Sequence, residues 1–135
     1  MIITLILSLF SVVLTAPSLN EVVICKPEQI KVFDNMLNAF MKVESNFDTD
    51  TINSLGYGGI LQIGQEMINE ANRICRIRQI CESFTLDDRL DSTKSVRVWY
   101  IVQSYWNPSY GLKKACKVWN PLASNRYYTK IKAVL

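Results

Sequence analysis

Glu44 stands in the run Glu44-Ser45-Asn46-Phe47, and nine residues on begins Asn53-Ser54-Leu55-Gly56-Tyr57-Gly58-Gly59-Ile60-Leu61-Gln62-Ile63. A carboxyl group on an apolar helical stripe loses water around its ionised form, which raises its pKa and keeps it protonated toward neutral pH. Such an acid suits a glycosidic oxygen, a poor leaving group until a side chain within hydrogen-bond reach protonates it. The glycines that follow allow the backbone to approach a sugar ring closely, and Gln62 supplies an amide to bond its substituents. A lone Glu on such a stripe more often simply reaches water at a helix end. Here the neighbouring residues give it a cleft, and the pattern points to glycoside chemistry.

The elements that must hold these groups follow from a period near 3.6. Pro27 suits the first position of a helix and Glu28 its first turn. The stripe Ile30, Phe33, Leu37, Phe40 and Met41 then continues onto Glu44 and Phe47, which places the acid on the buried face. Residues 48–54 are rich in side chains that bond their own backbone, and read as a loop in which Asp48 and Asp50 serve turns. A second helix is predicted over 60–76, with Ile60, Ile63, Met67, Ala71 and Ile74 on one face. Asp91 or Ser92 caps a third over 93–106, apolar around so much of its circumference that it reads as central. Asn107-Pro108-Ser109 stops it, a shorter helix carries Leu112, Ala115, Cys116 and Trp119, and Ser124 caps a last one with Tyr127, Tyr128, Ile131 and Leu135. Strand alternation is absent except for a short hairpin that the glycine region would allow, so the expected fold class is mainly α.

The chain has 135 residues, 49% apolar and 20% charged, which fits one folded domain and excludes a disordered chain. Residues 1–15 are almost wholly apolar and uncharged, too short to span a bilayer comfortably, and followed by Ala16 and Ser18. They read as a signal peptide over 1–18, leaving a domain over 19–135 in a secreted or periplasmic protein. The leader lacks Lys and Arg at its start, so a retained N-terminal anchor is the competing reading. Four cysteines, Cys25, Cys75, Cys81 and Cys116, are an even count that in an exported chain favours disulfides, with three connectivities open. With no histidine and an irregular spacing they do not make a zinc site. The alternative is that some are reduced, buried small hydrophobes. Twelve acidic and 7 basic side chains precede Ser92, whereas 8 basic and no acidic ones follow it, for a net +3. A basic C-terminal third suits approach to an anionic polymer such as bacterial cell wall, or else supplies one of two solvated faces that attract each other.

These residues resemble the soluble lytic transglycosylases, lysozyme-like enzymes that cut the glycan strands of peptidoglycan. Glu44-Ser45-x-Phe47 is similar to the family's Glu-Ser signature, and Gly56-x-x-Gly59-Ile60-Leu61-Gln62-Ile63 to its Gly-Leu-Met-Gln segment. Trp119-Asn120 resembles its Tyr-Asn pair and Tyr128-x-x-Ile131 its C-terminal Tyr motif, with a weaker match at Tyr100. The motifs come in the family's order over about residues 30–131. The departures are Tyr57 for an alanine, Gly64-Gln65 for a proline-containing turn, and Pro121-Leu122 where small residues and glycine are usual.

The resemblance implies a lysozyme-like helical domain. It makes Glu44 the single catalytic acid and base, and it makes Ser45, Gly59, Ile60, Gln62, Tyr100, Asn120 and Tyr128 substrate contacts. It further implies a monomeric lyase that needs no metal or cofactor, and that leaves a 1,6-anhydro end on N-acetylmuramic acid. Its partner is the peptidoglycan strand, with no nucleic acid and no membrane contact beyond the N-terminal segment. A hydrolase would want a second carboxylate roughly 5 to 9.5 Å from the first. A lysozyme-type hydrolase and a peptidoglycan-binding module without turnover are the alternatives.

Overall fold

The computed structural model describes residues 27–135; the expected signal segment 1–18 and Cys25 lie outside the described residues. The chain forms α1 (Pro27–Ser45), α2 (Gln65–Ile77), α3 (Ser92–Trp106), α4 (Leu112–Trp119) and α5 (Asn125–Ala133), with a 3-10 turn at Leu86–Leu90 just before α3. The fold is mainly α, with no strand among the described residues.

α3 is the centre, packed against α1, α2, α4 and the 3-10 turn. Its breadth of apolar positions is used: Val98, Trp99, Ile101 and Val102 are all buried. Trp99 meets Phe33 and Phe40 of α1 at centroid distances of 5.6 Å each, in the edge-to-face geometry that aromatic quadrupoles favour. At its start the Asp91 carboxylate accepts from the Lys94 backbone N–H at 3.0 Å, satisfying one of the orphan donors of the first turn. Beyond its other end, buried Asn107 accepts from the Gly111 N–H and donates to the Gly111 carbonyl, both at 3.1 Å. That side chain sets the corner from which α4 departs. α5 returns against α1, with Ile131 fully buried and Tyr127 meeting Phe40 edge-to-face at 6.2 Å.

The structure departs from periodicity at α2, which begins at Gln65 rather than near Ile60. Gly58 and Ile63 exchange both of their backbone hydrogen bonds, at 3.1 and 2.9 Å, and Gly58 also bridges to Ile52. These paired groups are no longer available to a helical ladder, and Gln62 between them has a positive φ of 48°, which an α-helix does not allow. The hairpin that the glycines would permit is reduced to these two isolated bridges. Ile60, Leu61 and Ile63 nevertheless reach the core, so their apolar spacing reflects burial in a compact turn.

Cys75 and Cys116 are buried free thiols and Cys81 is an exposed one, so no disulfide joins these three. Burial pushes the Cys116 thiol up to about 11, which keeps it neutral, and it packs as a small apolar side chain. Among the described residues no helix is long and apolar enough to cross a membrane.

Candidate active site

The end of α1 is built to turn sharply just after the acid. Asn46 and Phe47 take left-handed backbone with φ of 56° and 66°, and their N–H groups bond back to the carbonyls of Lys42 and Met41 at 3.1 and 3.3 Å. Asn tolerates this conformation through its short polar side chain, whereas Phe does so at a cost, so strain is held beside Glu44. The Asp48 carboxylate then accepts from the N–H groups of Asp50 and Thr51 at 2.9 and 3.2 Å, which gives it a turn-closing role.

Glu44 opens on a cleft of about 980 Å³, the size of a small-ligand site. Burial pushes its carboxyl above the ordinary carboxylate value, and a hydrogen bond from the Tyr127 hydroxyl, which favours the anion, offsets part of that rise. Burial, and secondarily the Glu44 charge, also raises the Tyr127 phenol well above its usual range, so Tyr127 stays a donor at any physiological pH.

Two of the residues singled out in the sequence share this lining with Glu44: Gln62 and Asn120. Gln62 spends both amide hydrogens on backbone, donating to the carbonyls of Gly59 at 3.1 Å and Thr51 at 3.3 Å. Its oxygen accepts from Asn53 at 3.1 Å. What Gln62 offers a ligand is therefore the remaining acceptor capacity of its carbonyl oxygen. Asn53, also on the lining, holds the loop through bonds from the N–H groups of Leu55 and Tyr57 at 2.9 and 3.1 Å.

The other residues stand elsewhere. The Ser45 hydroxyl donates to the Ile60 carbonyl at 2.8 Å, tying the end of α1 to the glycine turn, so it braces the cleft wall from behind. Ile60 is in the core, and Gly59 is buried against the backbone of Arg89. Tyr100 lies in a separate groove beside Cys81 and Arg97, with its hydroxyl bonded to Asp34. It adjoins Trp99, and a step of one residue along a helix turns the side chain away from the face that Trp99 buries.

The tyrosine bonded to Glu44 is Tyr127 and not Tyr128; both pack against the core edge, and neither is on the cleft lining. Tyr127 is four residues before fully buried Ile131 and thus shares the face of α5 that meets α1. Tyr128 stands three residues before Ile131, which is also a same-face spacing, so the sequence held no signal that separates the two.

The cleft also collects residues that no motif marked. Glu66 and Glu70 of α2 line it, as do Trp106 at the end of α3 and Lys114 and Lys117 of α4. Glu70 is a committed anion: Arg73 binds it through two bonds of 2.7 Å and the Trp106 indole N–H donates at 2.6 Å, which together hold its pKa low. Glu66, exposed on the first turn of α2, carries no such partners among the described residues. The ion pairs among the described residues are Arg73–Glu70, Lys94–Asp88 and Arg97–Glu82. The lysines of α4 and α5 take part in none of them, and Lys114 and Lys117 give the cleft a cationic side.

Removal of the phenol oxygen gives a direct check on the acid. In Tyr127→Phe the bond that favours the Glu44 anion is gone, so the Glu44 pKa is expected to rise further. The alkaline limb of a Glu44-dependent pH–rate profile moves to higher pH, and the maximal rate falls about tenfold, the worth of one charge-assisted hydrogen bond. Titrating Glu44 by carboxyl-labelled NMR in both proteins checks the direction independently of rate.

Compared with family models, with curated proteins and with solved structures, the chain gives no match.

Proposed function

We propose that this protein is a peptidoglycan lytic transglycosylase with a lysozyme-like domain, acting outside the cytoplasm on the bond between N-acetylmuramic acid and N-acetylglucosamine. One observation carries the reading: a partly buried carboxyl with a raised pKa opens on a cleft that it shares with Gln62 and Asn120. Glu44 gives its proton to the glycosidic oxygen as the bond from the anomeric carbon breaks. Its carboxylate, steadied by the Tyr127 hydroxyl, then takes the proton of the muramic acid 6-hydroxyl as that oxygen closes onto the anomeric carbon. The acid is regenerated in one cycle and the product ends in a 1,6-anhydro ring. Supporting this route over hydrolysis, the Glu70 carboxylate is occupied by Arg73 and Trp106 and is not free to activate water.

The second reading, hydrolysis, runs through Glu66, the remaining carboxylate on the cleft wall. Digestion of purified peptidoglycan followed by mass spectrometry of the fragments decides between them. Anhydro ends that persist in Glu66→Gln and vanish in Glu44→Gln are the expected result. Reducing ends that vanish in both variants would assign hydrolysis, and glycan binding with no fragments at any pH would assign a binding module.

A further inference from the structure

Trp99 and Trp119 are 0% and 7% exposed, whereas Trp106 is 45% exposed and lines the cleft. A tryptophan that gains little from burial is expected to be mobile, yet this one is restrained on several sides. Its indole N–H donates to Glu70 at 2.6 Å, the guanidinium of Arg73 lies 5.7 Å from its ring centroid, and Tyr105 packs against it edge-to-face at 5.1 Å. Arg73 is itself fixed by its two bonds to Glu70 and by a second contact over Tyr105 at 5.3 Å. The polar edge of the indole is thus satisfied within the protein, and the part left open is apolar aromatic surface facing the cleft. An oriented aromatic face with its N–H already bonded suits a ligand that is polar around its rim and apolar on its face, which describes a pyranose ring.

We propose that Trp106 is a sugar-stacking platform, a subsite of the cleft that holds the face of an N-acetylglucosamine unit, and that Glu70 and Arg73 are positioning residues that keep the indole in place. The inference rests on the glycan reading of the cleft and adds where along it a sugar is gripped. Glu70 is then explained without any role in proton transfer.

The test uses chitotetraose, a β-1,4 oligomer of N-acetylglucosamine, with the Glu44→Gln protein so that nothing is cut. Because Trp106 is the exposed indole, binding is expected to shift tryptophan emission to the blue and to protect it from iodide quenching. Adding Trp106→Phe should abolish that shift and, because the ring also loses its bond to Glu70, weaken calorimetric affinity about threefold to tenfold, and Trp106→Ala should weaken it further, by about tenfold or more. Glu70→Gln should weaken binding by about threefold to tenfold, with greater iodide quenching of the free protein, as expected of a loosened ring. Circular dichroism melting of each variant separates loss of binding from loss of fold. Unchanged chitotetraose affinity in a folded Trp106→Ala protein overturns the platform. If the wild-type protein cuts peptidoglycan yet chitotetraose leaves the Trp106 signal unmoved, the platform alone fails. Absence of both binding and cutting removes the glycan reading together with it.

Discussion

Glutamine in place of Glu44 is expected to lower peptidoglycan cleavage by at least about a thousandfold, since one group supplies both the acid and the base step. The same variant is expected to be no less stable than the wild type, and more stable at neutral pH. The folded state raises the Glu44 pKa above its ordinary 4.5, so the folded protein binds this proton more tightly than the unfolded chain does. The contribution to stability is therefore fully present below the unfolded value and is lost as pH rises through the folded one. Glutamine keeps the shape and an acceptor for the Tyr127 hydroxyl but never bears the charge. Its melting temperature should exceed that of the wild type by about 2–5 °C at pH 7, with the gap closing below pH 4.5. Lost activity with a lowered melting temperature at every pH would instead describe a structural carboxylate.

The second large effect is expected at Gly59. An added Cβ there would lie 1.8 Å from the Arg89 carbonyl oxygen, and the residue has a φ of +73°. Both the close approach and the left-handed backbone oppose any side chain, and the obstructing atom is main chain, which cannot swing aside. Gly59→Ala should cost about 3–5 kcal/mol in denaturant unfolding. Gly56 provides the comparison within the same turn: its φ is +85° but nothing lies within 4 Å of an added Cβ. Gly56→Ala should cost only about 1–2 kcal/mol, the strain of the left-handed conformation alone. Equal losses in the two variants would mean that the contact between the glycine turn and the 3-10 turn does not set the stability of this region. The contact matters to the cleft because the Gly59 carbonyl is one of the two that hold the Gln62 amide. Gly59 thus acts through packing, and a substrate contact is not its place.

The helices were legible where a periodic stripe ran without interruption. α3 is capped by Asp91 as its helix-start signals predict, and the stop at Asn107 is where a buried amide turns the chain. The start of α2 was not legible, because Ile60 and Ile63 keep a helical spacing while their backbone belongs to a bridged turn. Apolar spacing reports which side chains are buried and says less about which backbone geometry buries them. The same limit explains the tyrosines. Two adjacent Tyr residues satisfy a short motif equally well, and only the face of α5 that meets α1 selects Tyr127.

The sequence by itself determined that a glutamate closes the buried face of the first helix, that a glycine-rich turn follows, and that the chain is mainly α. These are local properties, set by side-chain order along a few helical turns. The tertiary structure alone decided what surrounds the acid. Tyr127 reaches Glu44 across a separation of 83 residues, and Trp106 reaches Glu70 across 36. Such pairs depend on the angles at which helices pack and on corners such as Asn107, which no window of neighbouring residues encodes. Desolvation of Glu44 is likewise a property of the packed helices: the stripe puts the carboxyl on the inner face, and the elements that close over it raise its pKa.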